Sequence, residues 1–307
     1  MSIINRKKSV SDNKKTDLSI FLFGINFTSK DKSQLLNELS VKLSNSLEMS
    51  NVLTPNPEFI VLAKKNPELE KMVKRANRRG DCFIPDGVGL LIVSRIIGFF
   101  DKSKKLKEKI TGVDFAVDLV KESLKQKKKI LILGGRGYEE LSFKIKSGRQ
   151  NVKCKIVNLN NSSKSSIENN SEKEALIFWS KGYADVRNPS REEEKRIEKN
   201  ISKLKPDILF VAFGAPHQEY WLDQNQDLLK NNNVRIAMVV GGTFDYLLGI
   251  VKRAPVWIQK LGFEWLVRLI RQPWRWRRQL RLITFIWIAL IELITTLRDR
   301  FVIWRKK

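Results

Sequence analysis

The chain is poor in the residues that build most thiol and metal sites. In 307 residues it has two cysteines, Cys82 and Cys154, and one histidine, His217. With no CxxC pair and no second histidine, a disulfide framework and a zinc site are excluded, and a reducing compartment is expected. A Ser-His-Asp triad could be built only on His217. There is no Asp-x-Asp pair of the kind that carries a metal to a diphosphate. Met1 to Asp17 is polar and lysine-rich and lacks the apolar stretch of a signal peptide, so residues 1–18 read as a disordered basic tail.

Acidic residues are also scarce, with 33 Asp+Glu against 58 Lys+Arg and a formal charge of +25. The imbalance is local. Residues 252–307 hold 14 Lys/Arg against Glu264, Glu292 and Asp299, a net of +11. Such a surface expects polyanions: nucleic acid, an anionic membrane face or phosphorylated substrates. Within this tail the longest clean apolar run, Phe285 to Ile291, stops at Glu292, short of the ~20 residues that cross a bilayer. Leu280 to Trp304 therefore reads as interfacial, basic with Trp anchors, or as helices capping a core.

What is present is a folding chain, 42% hydrophobic, in which short apolar runs alternate with helical patterns. Strands are expected at Ser19–Gly24, Asn51–Thr54, Cys82–Pro85, Lys129–Gly134, Val152–Val157, Asp207–Phe213 and Arg235–Val240. Helices are expected from Lys30 to about Ser46, from Pro57, and over Val88–Gly98 and Val113–Lys125. Further helices are expected after Gly137 to about Lys146, and over Glu192–Lys203, Pro216–Leu229 and Leu261–Ile270. Asn158 to Ser171, rich in Asn and Ser, reads as a surface loop. The pattern predicts an α/β fold: a Rossmann-like, mostly parallel sheet covered by helices on both faces. The expected division is an α/β catalytic domain over 19–251 and a basic, Trp/Arg-rich helical appendage over 252–307 that docks on a membrane.

Five strands end in polar or glycine-rich turns: Thr54-Pro55-Asn56, Pro85-Asp86-Gly87, Gly134-Gly135, Gly214-Ala215-Pro216-His217-Gln218 and Gly241-Gly242-Thr243. The carboxyl edge of an open parallel sheet is where ligands bind, so these turns predict one site. The glycine turns offer bare backbone N–H groups, and Gly134-Gly135 reads as a diphosphate cradle that departs from GxGxxG at Glu140. Asp86 reads either as a base or as an Asp-Gly turn residue. Thr54 and Asn56 read as pocket residues or as caps of the helix that Pro57 opens. Gln218 is either solvated in a first helical turn or directed at the site, and Trp274 and Trp276 are either core or interfacial anchors.

In Thr54-Pro55-Asn56-Pro57-Glu58, Pro85-Asp86-Gly87-Val88-Gly89, Thr111-Gly112-Val113-Asp114, Gly214-Ala215-Pro216-His217-Gln218-Glu219 and Gly241-Gly242-Thr243-Phe244-Asp245, with Lys252-Arg253-Ala254-Pro255 and Gly262-Phe263-Glu264-Trp265-Leu266, the chain resembles the WecG/TagA/CpsF glycosyltransferases, glycosyltransferase family 26. The likeness runs in order from about Phe23 to Gln279. It implies an inverting hexosyltransferase moving N-acetylmannosamine, or a related sugar, from UDP to an undecaprenyl-diphosphate-linked acceptor in surface polysaccharide or teichoic acid synthesis. It implies Asp86 as catalytic base, with Thr54, Asn56 and Gln218 lining the sugar and acceptor pocket. Gly182-Tyr183 and Asp245 would hold the uridine; Gly134, Gly135, Gly241 and Gly242 are read from their own strand-end turns as backbone for the nucleotide. Arg268, Arg275 and Arg278 would close over the site and meet diphosphate.

The partners so implied are a UDP-sugar donor, a polyprenyl-diphosphate-linked acceptor and an anionic membrane surface, with a homo-oligomer left open and no nucleic acid. The protein would be cytoplasmic, peripheral on the inner face of the cell membrane, with no cofactor and no metal requirement, because arginines supply the cations. His217 stands where the family usually has Lys, and Lys109 where an Arg commonly precedes Thr-Gly. The Asn/Ser stretch looks like an insertion. Two other classes compete. A nucleic-acid-binding protein accounts for the charge but needs no polar strand ends. A nucleotide-cofactor oxidoreductase calls for a fuller GxGxxG and an acid after the second strand.

Overall fold

The computed structural model describes residues 19–45, 48–135, 138, 142–147, 150–160, 174–273 and 276–305. The expected tail at 1–18, the turn residues Arg136 and Gly137, and residues 161–171 of the Asn/Ser stretch lie outside them. In chain order come β1 (Ile20–Leu22), β2 (Ile25–Phe27), α1 (Lys32–Asn45), β3 (Ser50–Leu53), α2 (Pro57–Lys65), α3 (Pro67–Arg79), β4 (Cys82–Phe83) and α4 (Val88–Phe100). There follow α5 (Gly112–Lys125), β5 (Ile130–Gly134), β6 (Ser142–Ser147), β7 (Gln150–Asn158), β8 (Glu174–Ser180), α6 (Arg191–Leu204) and β9 (Ile208–Ala212). The last are α7 (His217–Gln224), α8 (Gln226–Asn231), β10 (Ile236–Val239), α9 (Thr243–Leu247), α10 (Val256–Leu261), α11 (Glu264–Arg271) and α12 (Trp276–Arg305).

The strands form one ten-stranded sheet in the order β1-β2-β4-β3-β10-β9-β5-β8-β7-β6. All neighbouring pairs are parallel except the two at the edges, β1 with β2 and β6 with β7. The expected α/β fold is the observed one. Along the central strands, side chains alternate between two cores. Leu131, Leu133, Leu209, Val211, Ala237 and Val239 face one side; Ile130, Ile132, Ile208, Phe210, Ile236 and Met238 face the other. Helices α2, α3, α4, α6 and α7 cover the first face, while α1 and α5 cover the second. Burial on both faces is why these strands read as unbroken apolar runs.

Three local expectations are corrected. The segment ending near Lys146 is not a helix but strand β6, antiparallel to β7. Phe143 and Ile145 alternate with Lys144 and Lys146, a period of two that the glycine turn before it obscured. Residues 216–229 form two helices, α7 and α8, with Asn225 between them. The C-terminal helix is longer than its seven-residue apolar run suggests. Leu280–Val302 has the length, and a mean hydropathy of 2.0, sufficient to cross a membrane by composition alone.

The break at Glu292 is not a break in the helix. Its carboxylate is paired with Lys104 Nζ at 2.9 Å, and the same ammonium reaches Thr296 Oγ1 at 2.9 Å. One stripe of α12, including Phe285, Ala289 and Thr296, is buried against α2 and α4. Phe285 meets Phe23 with ring centroids 5.6 Å apart, and Arg281 and Arg300 pair with Glu58 and Asp101. The opposite stripe, with Ile283, Trp287, Ile291 and Ile294, is exposed.

Candidate active site

Because the parallel strands all point the same way, their carboxyl ends meet along one edge. A cleft of about 580 Å³ opens there. It is lined by Thr54 and Asn56 after β3, Asp86 after β4, Gly135 and Tyr138 after β5, Phe213, Gly214, Ala215 and Gln218 after β9, and Gly241, Gly242, Thr243 and Asp245 after β10. Arg268 and Gln272 reach it from α11 and the turn beyond.

Asp86 is held by backbone bonds on both sides. Its N–H donates to Pro55 O at 3.0 Å, and Ile110 N–H donates to Pro85 O at 3.0 Å. Gly87 follows with φ +100°, a left-handed conformation that disfavours any side chain. Gly112, the first residue of α5, gives its backbone N–H to the Asp86 carboxylate. A Cβ on Gly112 would lie 3.3 Å from Asp86 Oδ2 and 3.2 Å from Thr54 Cγ2, so glycine lets helix, threonine and carboxylate meet. Desolvation pushes the Asp86 carboxyl up to about 7; the Gly112 N–H opposes the rise, Glu264 adds to it, Lys109 opposes it and Asp114 adds to it.

Asn56 caps α2, its Oδ1 accepting from Phe59 N–H at 2.9 Å, while the residue still lines the cleft. Gln218 is buried. Its Oε1 accepts from Gly241 N–H at 2.9 Å and Gly214 N–H at 3.2 Å, so it staples the ends of β9 and β10 together. The expected free N–H at Gly241 is therefore taken by a side chain. Gln218 Nε2 donates to Glu219 Oε1 at 3.0 Å. Glu219, quoted in its motif but given no role from the sequence, is 4% exposed, and its Oε2 is buried with no hydrogen-bond partner among the described residues. Burial pushes this carboxyl up to about 7 against the pull of Gln218.

On the β10 side, Gly242 is a point of close approach. A Cβ there would stand 2.7 Å from Asp245 Oδ2 and 2.9 Å from an Arg268 guanidinium nitrogen. The Arg268 guanidinium lies 5.0 Å from the Tyr246 ring centroid, and its Nε is buried with no hydrogen-bond partner among the described residues. Tyr138, also unassigned from the sequence, donates its hydroxyl to Asp245 Oδ1 at 2.6 Å. Burial and the charge of Asp245 hold that phenol well above its usual range.

Not every expected residue enters the cleft. Gly134 and Gly182 are packing glycines, for the Phe213 ring occupies the space of a side chain at either, within 2.7 and 2.4 Å of the Cβ positions. Tyr183 packs against Phe213, with centroids 5.2 Å apart, and accepts from Trp221 Nε1 at 3.0 Å. It lines a separate depression of about 780 Å³ together with His217. Arg275 lies outside the described residues, and Arg278 is placed only by its position in the first turns of α12.

A model of the glycosyl transferase WecG/TagA/CpsF family matches residues 20–299, which is most of the chain and includes every strand end above. The chain belongs to this family. It is thus a glycosyltransferase, and the nucleic-acid and oxidoreductase readings fall away. Its sequence is similar to three N-acetylglucosaminyldiphosphoundecaprenol N-acetyl-beta-D-mannosaminyltransferases. That of Bacillus subtilis strain 168 is 29% identical over 231 residues, 75% of this chain and 74% of the relative. That of Bacillus spizizenii is 26% identical over 256 residues, 83% and 84% of the two chains. That of Staphylococcus aureus strain MW2 is 22% identical over 260 residues, 84% and 85%. Glu219 sits inside a motif that the sequence made visible, and Tyr138 directly follows Gly137, the last glycine of its turn. Their burial and bonding are what single them out.

Proposed function

We propose that this glycosyltransferase moves N-acetylmannosamine, or a close relative, from UDP to an N-acetylglucosaminyl-diphospho-undecaprenol acceptor, with inversion at the anomeric carbon. The reading rests on one observation. Asp86, a carboxyl whose burial raises it to about 7, and Arg268, whose Nε has no partner among the described residues, line the same strand-end cleft. Asp86 takes the proton of the acceptor hydroxyl as its oxygen bonds to the sugar's C1. The bond from C1 to the diphosphate breaks, and UDP leaves with the electron pair. A base whose pKa lies near the working pH combines availability with driving force. Arg268 meets the charge that develops on the departing diphosphate, joined in this proposal by Arg275 and Arg278 from the tail.

In this reading Thr54 and Asn56 face the sugars, Asp245 takes the nucleoside, and Gln218 shapes the walls rather than gripping substrate. Residues 252–307 act as an appendage to the catalytic domain of 19–251. Exposed Val256, Trp257, Trp265, Ile270 and Trp287 sit among its arginines and lysines, a composition suited to the anionic inner face of the cell membrane, where a lipid-linked acceptor resides.

The test is incubation with a panel of UDP-sugars and a short-chain GlcNAc-diphospho-lipid, reading UDP release and product mass. A one-sugar mass gain with UDP-N-acetylmannosamine supports the proposal. UDP release with a different donor only, or binding of no UDP-sugar at all, overturns its donor assignment or the reading as a whole.

A further inference from the structure

Arg253 belongs to a motif that the chemistry above leaves without a role, and its guanidinium is bonded to two carboxylates. Its guanidinium forks onto Asp114, NH1 to Oδ1 at 2.5 Å and NH2 to Oδ2 at 3.1 Å, and its Nε donates to Glu264 Oε1 at 3.1 Å. Burial alone would weaken this cation's hold on its proton, but the two carboxylates raise it far above the ordinary arginine range. Asp114 is held below the usual carboxylate range: desolvation works against this, and Arg253's hydrogen bonds and charge outweigh it.

The partners' positions matter more than the strength of the pair. Asp114 sits in the first turn of α5, two residues from Gly112, whose N–H holds Asp86. Glu264 is the first residue of α11, the helix that carries Arg268 into the cleft. One guanidinium thus joins the helix that orients the base to the helix that presents the phosphate-facing arginine. The charged groups that act most on Asp86 among the described residues are Glu264 from α11, Lys109 from the loop before α5 and Asp114 from α5. Arg253 is bonded to both carboxylates of this set.

We infer that Arg253 is a positioning residue, a latch that seats α11 on α5 and screens the two neighbouring carboxylates from Asp86. The inference rests on Asp86 being the base. With Arg253 in place, its positive charge offsets part of the repulsion that Asp114 and Glu264 exert on ionised Asp86. Without it, both repel the ionised form of Asp86, and α11 loses its tie to the body.

The signs of two substitutions separate this role from plain structural support. Arg253→Met leaves both carboxylates uncompensated, so the acid limb of kcat/KM moves to higher pH, by roughly half a unit or more. Glu264→Gln cuts the same link but removes one of the repelling charges, so the limb moves to lower pH. Arg253→Lys keeps the charge but not the fork; its limb stays near wild type while kcat/KM falls.

The experiment is the pH profile of the three full-length variants beside wild type, with Asp86 followed by carboxyl ¹³C NMR so that its titration is read without turnover. Opposite shifts for Arg253→Met and Glu264→Gln support the latch. No shift in either, or shifts of the same sign, with folding intact by thermal melting, overturns it. If Arg253→Met does not fold, the Glu264→Gln and Arg253→Lys pair decides. A lowered limb in the former with an unmoved limb in the latter supports the latch, and any other pattern overturns it. An inactive wild type with Asp86 titrating as described would count against the proposed function, not against the latch.

Discussion

The Tyr138 hydroxyl donates to Asp245 Oδ1 across 2.6 Å, joining the turn after β5 to the helix after β10. The Tyr138 ring also lies over Gly135, where a Cβ would come within 2.2 Å of it. Tyr138→Phe keeps the ring and removes only the donor. A hydrogen bond to a charged acceptor contributes about 1.5–3 kcal/mol, so UDP binding is expected to weaken by roughly 10-fold or more if Asp245 takes the nucleoside. Calorimetry with UDP checks this, and unchanged affinity would remove Asp245 from the nucleoside site.

Gln218 ties the two glycine turns that wall the cleft. Gln218→Leu leaves the N–H groups of Gly214 and Gly241 without their acceptor and Glu219 without its donor. The expected cost is roughly 2–4 kcal/mol, read as a lowered Tm, together with a loss of activity. A variant with wild-type Tm would mean that the turns hold themselves.

How much of this could be read from the sequence depends on where the information lies. The strands β5, β9 and β10 were legible because burial on both faces leaves an unbroken apolar run. Their glycine-rich ends were legible as turns. Strand β8, Glu174–Ser180, went unread although Ala-Leu-Ile-Phe-Trp is apolar, because it follows directly on the Asn/Ser stretch. Asp86, Asn56 and Arg268 were named because motif order carries them. That Gln218 turns inward to brace two loops, or that Arg253 bridges α5 and α11, follows from geometry over long sequence separations, which neither periodicity nor spacing encodes. The length of α12 was underestimated for a similar reason: Glu292 reads as an interruption until Lys104 is seen beside it.

Asp86 and Glu219 both have folded-state values raised to about 7, above the ordinary carboxylate range. The stability linked to such a group is fully present below its unfolded value, near pH 4, and is lost as pH rises toward 7. The loss is about 1.4 kcal/mol per pH unit for each group across that window. Asp86→Asn and Glu219→Gln remove the titration. Each variant is expected to gain stability over wild type at pH 8 and to show no such gain at pH 4, as read by urea denaturation at the two values. A difference independent of pH would mean that neither carboxyl is held protonated by its surroundings.

Trp257 and Trp287 are each 65% exposed, so replacing them costs little packing. Trp257→Glu with Trp287→Glu is expected to leave Tm nearly unchanged and to reduce flotation with anionic vesicles several-fold. Equal flotation of variant and wild type would take the membrane contact away from this surface.

Because Arg268 supplies the cation for the leaving diphosphate in the proposed mechanism, turnover is expected to persist in excess chelator. A strict requirement for a divalent ion would contradict that assignment.

The most direct test of the central claim is turnover of Asp86→Asn measured beside UDP binding. The amide keeps the shape of the side chain and cannot take a proton from the acceptor. Turnover is expected to fall by ~10²-fold or more, in the range lost when a general base is removed, while UDP affinity stays within a few-fold of wild type. Turnover at the wild-type rate would contradict the assignment of Asp86 as the base.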